Sequence, residues 1–272
     1  MNIRAEMPDY HTHTSRCGHA VGRPEDYVAA ALDGGLSGIG ISDHMPLAGH
    51  PDPALSMTPA DLPDYVAEVL EVKRKHPGFV LLGIEADYFP DRAGDVRAVL
   101  ESQPFDYVIG SVHYLDGWGF DNPENLAGYA ERDINAVYAR YFELLGDAAA
   151  TGLYTIIGHL DLVKKFGYRP TSNMAQVLDT LLRRLARAGV IVEINTAGLR
   201  APVAEVYPSP AILAEVHAHG IPITFGSDAH APQDVGWGFA VAAQLARRAG
   251  FRARAELIPQ PGGRMQVEYR RI

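Results

Sequence analysis

The sequence predicts an α/β barrel of parallel strands, distorted because it has seven β/α units where eight are usual. Two observations carry that prediction. Apolar runs of strand length alternate with helix-like segments along the chain. The runs also end, one after another, in a side chain of metal-ligand type: Pro8 to His13, Ile39 to His44, Val80 to Glu85, Val108 to His113, Ile156 to His159 and Ile223 to His230. A seventh run, Val190 to Asn195, ends in a polar residue as well. An open doubly wound sheet would satisfy the alternation too. Such a sheet gathers its site at one switch point, however, whereas polar groups at nearly every strand end suit the C-terminal face of a barrel.

The helices follow in order. Arg23-Pro24-Glu25 opens the first, which runs to Asp33 and stops at Gly34-Gly35. Thr58-Pro59-Ala60-Asp61 opens the second, to Lys75 before Pro77. The third spans Asp91 to Ser102, and Asn122-Pro123-Glu124 begins a long fourth to Ala150. Ser172 or Asn173 caps a fifth that ends at Ala188-Gly189; the sixth runs from Pro210 to His219 and the seventh from Pro232 to Gly250. The last stretch, Phe251 to Ile272, contains Pro259-Gln-Pro-Gly-Gly263 and reads as a turn between short extended pieces, an appendage to the barrel.

No linker or composition shift interrupts the chain, so residues 1–272 are expected to form a single domain. A domain of this size buries roughly 75% of its unfolded surface and needs no disulfide. None can form within the chain, because Cys17 is the only cysteine, which suits a reducing cytoplasm. No apolar signal segment or run of membrane-spanning length is present. The net charge of −9 lacks the footprint of a nucleic-acid binder. A small anion remains a possible ligand if metal ions in a pocket dominate the local field.

His11-Thr-His13 is the sharpest motif. Residues two apart on a strand face the same side, so both imidazoles enter one volume. Asp228-Ala-His230 repeats the spacing. His44, His113 and His159 hold equivalent positions at their strand ends, His19 lies in the loop after the first strand, and Glu85 closes an apolar run where a lone carboxylate would be costly. The nine candidate ligands are His11, His13, His19, His44, Glu85, His113, His159, Asp228 and His230. A single ion takes three or four protein ligands; nine are too many for one and, with Glu85 bridging, suffice for three. Imidazole and carboxylate suit Zn, Fe and Mn alike.

At these residues the chain resembles the PHP (polymerase and histidinol phosphatase) family, in its histidinol-phosphate phosphatase branch. The matching segments are His11-Thr-His-Thr14, Cys17-Gly-His-Ala20, Ser42-Asp-His44, Gly83-Ile-Glu-Ala86, Phe105 through Gly110-Ser-Val-His113, Ile157-Gly-His-Leu-Asp161, Asn195-Thr-Ala-Gly-Leu-Arg200 and Gly226-Ser-Asp-Ala-His230. The resemblance implies a distorted (β/α)7 TIM-like barrel, the PHP fold, with a trinuclear centre. It assigns His11, His13, Glu85 and Asp228 to one ion, Glu85, His113 and His159 to a second, and His19, His44 and His230 to a third. It further implies hydrolysis of L-histidinol phosphate to L-histidinol and inorganic phosphate in histidine biosynthesis. Three divalent ions would supply hydroxide at neutral pH and clamp the phosphoryl oxygens.

Glu85, Asp228, His230 and Arg200 are then the expected catalytic residues. Arg200 would grip phosphate, and Lys165 could add charge. Of Lys164 and Lys165, at least one is expected to be solvated. Asp161, Tyr114 or Trp118 would meet the amine and imidazole of the substrate. Asp43 is expected to orient a ligand from behind. Cys17 is expected to pack or shape the His19 loop. His217 and His219 read as helix-end residues, His50 and His76 as surface ones. Two other functions compete. Another phosphoesterase of the same fold, acting on nucleotide or oligonucleotide esters, is disfavoured by acidity. A non-catalytic metal-binding module is disfavoured because no ligand position is lost.

Overall fold

A computed structural model of the protein describes residues 7–47, 55–262 and 265–272; the expectation for His50 falls outside them. The barrel strands are β1 (Pro8–Asp9), β2 (Gly38–Ile41), β3 (Val80–Leu82) continued after two residues by β4 (Glu85–Asp87), β5 (Ile109–Ser111), and, after a small hairpin of β6 (Tyr114–Leu115) and β7 (Trp118–Gly119), β8 (Ile156–Ile157), β9 (Ile191–Asn195) and β10 (Ile223–Gly226). Hydrogen bonding runs β1-β2-β3 in one sheet and β4-β5-β8-β9-β10 in the other, every pair parallel.

Two bridges turn these sheets into a cylinder. His44 pairs with Glu85, and Thr12 pairs with Ala229. At the second seam His13 N–H donates to Ala229 O at 2.8 Å and Tyr10 N–H to Phe225 O at 3.4 Å. The first and last strands are thus neighbours, which rules out the open sheet and gives the distorted seven-strand barrel. Strands buried on both faces need no alternation, and β2, β3, β9 and β10 are buried throughout.

The helices are α1 (Pro24–Asp33), α2 (Leu62–Lys75), α3 (Ala93–Glu101), α4 (Ala127–Ala130), α5 (Ile134–Ala150), α6 (Ala175–Ala188), α7 (Pro210–Ala218) and α8 (Phe239–Ala249). Their starts follow local capping chemistry. Asn173 Oδ1 accepts the Ala175 N–H at 2.8 Å before α6, and Ser209 accepts the Ile212 N–H before α7. Two expected helices are shorter. The long fourth helix divides into a 3₁₀ turn at Pro123–Asn125, α4, and α5, because Asp133 caps a fresh start by accepting the Asn135 N–H. The seventh begins at Phe239 instead of Pro232, since Gly238 takes a left-handed φ of 79° that a helix cannot continue through. No described helix is long and apolar enough to cross a membrane.

The C-terminal stretch is more than an appendage. β11 (Ala253–Pro259) and β12 (Met265–Arg271) form an antiparallel hairpin. Its Ala255 and Leu257 pack with Tyr10, Leu81, Tyr107, Ile109, Ile156 and Ile191, most of them from the beginnings of barrel strands. Tyr10 Oη accepts the Leu257 N–H at 2.9 Å. The hairpin therefore closes the N-terminal end of the barrel. Burying Leu257 there contributes roughly 1.5–3 kcal/mol. The ligand-type residues occupy the opposite, C-terminal end.

Candidate metal centre

The structure brings all nine expected ligands together around Glu85. Glu85 is 1% exposed, and its two oxygens face different neighbours. Oε2 lies 3.2 Å from His11 Nε2, 3.4 Å from His13 Nε2 and 3.0 Å from His44 Nδ1. Oε1 lies 3.0 Å from His159 Nε2 and 3.8 Å from His113 Nε2, and accepts Ser111 Oγ at 2.5 Å. Asp228 Oδ1 completes the first group, 3.3 Å from His13 Nε2 and 3.8 Å from His11 Nε2. His19 Nε2 and His230 Nε2 meet at 2.9 Å, with the His13 ring stacked on His230 at 4.3 Å.

These separations suit cations. Ligands about 2.0–2.1 Å from a tetrahedral ion stand roughly 3.3 Å from one another. The groups His11–His13–Asp228, His11–Glu85–His159 and His13–His44–His230 all have their ligand atoms within 4.8 Å of each other. His11 Nε2, both nitrogens of His13 and His159 Nδ1 are buried without a hydrogen-bond partner. Buried polar nitrogens are normally satisfied, and a metal ion would satisfy several of these at once. Two of the residues are held in uncommon backbone conformations, His159 at φ 23° and Asp228 at φ 52°. Strain of this kind collects at functional sites.

The electrostatics agree. Burial would raise the Glu85 carboxyl, but His44 and His11 outweigh it and hold Glu85 well below the usual range. Asp228 is likewise held low by His11 and His13 against burial. Burial, helped by His230, pushes His13 down to about 3, and burial holds His44 well below its ordinary value. Both rings are therefore neutral, the form that ligates a metal. Burial also opposes a charge on His11, yet Glu193, Glu85 and Asp228 overcome it and keep that ring well above its ordinary value. The carboxylates thus hold a proton on His11 where a metal cation would serve equally.

Behind the ligands stands a layer of carboxylates that sequence reasoning only partly found. Asp43 was expected to orient a ligand, but its oxygens accept the N–H and hydroxyl of Thr14, both at 2.5 Å, so its hold is on the residue after His13. Asp87 and Glu193 were missed. Asp87 Oδ1 lies 3.0 Å from His113 Nδ1, and Glu193 Oε1 lies 2.7 Å from His11 Nδ1. Their signal was available in the spacing. Asp87 is two residues beyond Glu85 and Glu193 two before Asn195, so each shares a face with a residue already placed at the strand end.

A cavity of about 380 Å³ opens over the cluster. Of the expected substrate-binding residues, Arg200, Lys165 and Tyr114 line it. Arg200 Nη2 donates to the carbonyls of Ser227 (2.8 Å) and Asp228 (3.1 Å), and its guanidinium lies 5.4 Å from the Trp237 ring centre. Lys165 Nζ donates to the Asp121 carbonyl at 2.8 Å, with Asp121 Oδ2 at 3.2 Å. Asp121, also in the lining, was not anticipated.

Asp161 is a correction. It does not line the cavity but is buried, accepting the Ser209 N–H at 2.9 Å and pairing with Lys164 Nζ at 2.9 Å. The 3₁₀ turn Leu162–Lys164 directly after Asp161 folds both side chains inward. Of the two lysines, Lys165 is the one open to solvent, with 29% of its side chain exposed at the cavity wall. Lys164 is fully buried, pairing also with Glu205 at 2.8 Å, and Lys165 is tied to Asp121. Arg16 faces Glu68 and Asp64, away from the cavity. Trp118 meets Tyr129 edge to face and carries the Arg132 guanidinium over its ring, outside the lining. Cys17 is fully buried and donates to Thr14 O, with burial pushing its thiol up to about 12, so it is a packing residue. His219 sits at the end of α7 against Asp179, as expected.

The comparisons with known proteins agree with this arrangement. The model of the PHP domain family matches residues 9–197. A probable histidinol-phosphatase of Deinococcus radiodurans is 46% identical over 248 residues, covering 90% of this chain and 94% of that protein. The histidinol-phosphatase of Bacillus subtilis is 29% identical over 85% of this chain and 96% of that one. Among solved structures, histidinol phosphate phosphatase from Lactococcus lactis, complexed with Zn, L-histidinol and phosphate, superposes with a TM-score of 0.79 over 96% of this chain and 98% of that chain, at 24% identity. The chain belongs to the PHP family, among its histidinol-phosphatases.

Proposed function

We propose that the protein is a metal-dependent phosphoric monoester hydrolase that converts L-histidinol phosphate to L-histidinol and inorganic phosphate in histidine biosynthesis. The observation that carries this reading is the convergence of nine ligand-type side chains on Glu85, several with unpartnered nitrogens, beneath a cavity that also holds an arginine and a lysine. The relatives' names and the L-histidinol and phosphate held by the Lactococcus lactis enzyme support the substrate.

His11, His13, Glu85 and Asp228 would hold one divalent ion, Glu85, His113 and His159 a second, and His19, His44 and His230 a third, with Zn, Fe or Mn as the candidates. Bound ions supply Lewis-acid polarisation of the phosphoryl group and activation of water. The chain's own residues do the rest. Glu85 presents one oxygen to each of two ligand groups and so fixes their spacing. Arg200 keeps Nη2 on two carbonyls and offers its remaining N–H groups to phosphate from the cavity wall. Lys165 adds positive charge beside it. Asp121 and Tyr114 line the same cavity and are suited to the amine and imidazole of the substrate. We further read residues 1–272 as one cytoplasmic domain acting on a small phosphomonoester; the continuous apolar core running from Met7 to Phe251 supports the single domain.

The test is hydrolysis of L-histidinol phosphate beside nucleotide monoesters and a phosphodiester, by protein reconstituted separately with Zn, Fe and Mn. A preference for histidinol phosphate is expected. Equal or better turnover of nucleotide esters would move the protein to another phosphoesterase activity of this fold.

A further inference from the structure

β9 gives the cluster none of its nine ligand-type residues, yet two of its side chains reach three of them. Glu193 is buried inside the barrel. Its Oε1 lies 2.7 Å from His11 Nδ1. Its Oε2 accepts the backbone N–H of His159 at 3.0 Å and the side-chain amide of Asn195 at 3.0 Å. That amide also donates to Asp228 Oδ2 at 3.2 Å. One carboxylate therefore touches, directly or through Asn195, ligands carried by β1, β8 and β10. An uncompensated carboxylate at this depth would cost several kcal/mol, and these contacts satisfy it.

The neighbouring strands make room for it. A Cβ on Gly226, beside Asn195 in the β9–β10 register, would fall 1.9 Å from Glu193 Oε1 and 2.7 Å from His11 Cβ. The glycine of the Gly226-Ser-Asp-Ala-His230 segment is thus required by Glu193. Glu193 and Asn195 also make contacts at His159 and Asp228, the two ligands with positive φ. Such conformations persist where the surroundings fix them.

We propose that Glu193 and Asn195 are a positioning pair for the metal ligands. Glu193 keeps a proton on His11 Nδ1, so that Nε2, 3.2 Å from Glu85 and 3.8 Å from Asp228, is the nitrogen left to share a cation with those carboxylates; it anchors the His159 backbone; and Asn195 aims Asp228. Neither residue touches substrate or metal. A partner on the distal nitrogen of a ligating histidine sets its tautomer and orientation. Because the pair serves ligands of two ion positions, its loss should weaken both. This inference rests on the metal-dependent reading above.

The experiment is zinc titration of chelator-stripped protein against a chromophoric competitor, with Co²⁺ absorption as a second readout and the unfolding temperature of the metal-free protein as a folding control. In Glu193→Gln the amide can donate to His11 Nδ1, which moves the ring proton to the metal-facing nitrogen. Zinc affinity should fall roughly 10–100-fold for more than one equivalent, the Co²⁺ band should change, and the metal-free protein should still unfold cooperatively. Asn195→Ala should weaken a single equivalent. Parental stoichiometry and affinity in Glu193→Gln would overturn the inference. If that variant fails to fold, Asn195→Ala decides, and unchanged zinc binding there overturns it. Failure of the parent protein to take up zinc overturns the metal-dependent reading and this inference with it; equal uptake by parent and variant overturns this inference alone.

Discussion

Asp87 holds His113 twice: Oδ1 accepts the backbone N–H of His113 at 2.9 Å and lies 3.0 Å from Nδ1 of its ring. The ring's other nitrogen is left pointing toward Glu85, 3.8 Å away. Burial opposes a charge on this imidazole, but Asp87 outweighs it and raises His113 to about 10.

A pH signature of the metal-free protein follows. The unfolded-chain value is about 6.5. A histidine raised on folding binds its proton more tightly in the native state. Its stabilising contribution is therefore complete below about pH 6.5 and is lost as pH rises through about 10. Thermal unfolding of chelator-treated protein should show Asp87→Asn losing less stability than the parent between pH 6.5 and 10. Parallel profiles would mean that Asp87 does not hold the proton.

Glu85→Gln should reduce metal content and turnover together. One oxygen of Glu85 faces His11, His13 and His44 and the other faces His159 and His113, and a neutral amide ligates poorly. Elemental analysis beside steady-state rates checks this. Full metal content with full activity would leave Glu85 a structural role.

Arg200→Ala should lower kcat/KM for histidinol phosphate while metal content stays constant. Arg200 is partly exposed and already spends one nitrogen on backbone carbonyls. The loss should therefore lie near the lower end of that for a truncated charge pair, about 2 kcal/mol or roughly thirtyfold. An unchanged kcat/KM would place the phosphate elsewhere in the cavity.

Lys164→Met should destabilise the fold without altering the ligands. It removes the ammonium from buried Asp161 and from Glu205, and with it the donor to the Val206 carbonyl. Breaking such a pair costs about 3–5 kcal/mol. Urea unfolding should show this loss as a lower midpoint with an unchanged slope. A change below about 1 kcal/mol would mean that water replaces the ammonium.

Much of the site was legible because a strand has a period of two and a barrel collects its strand ends. His11 and His13 had to share a face; Asp228 and His230 converge by another route, past the end of β10 with Asp228 at φ 52°. Asp161 misled because its position after a strand end, like that of the ligands, hid the inward 3₁₀ turn that follows it. The hairpin at Ala253–Arg271 looked peripheral because nothing in its own pattern names the apolar layer it covers.

By itself the sequence determined the β/α alternation, the side chain presented at each strand end, and the family. These are local properties, fixed by periodicity, capping and residue type. Only the tertiary structure decided which strand ends meet. His11 finds Glu193 across 182 residues of chain, and Thr12 finds Ala229 at the closing seam. The order of the strands and their register around the cylinder set those pairings. Both result from packing a closed barrel, whose geometry no single segment contains.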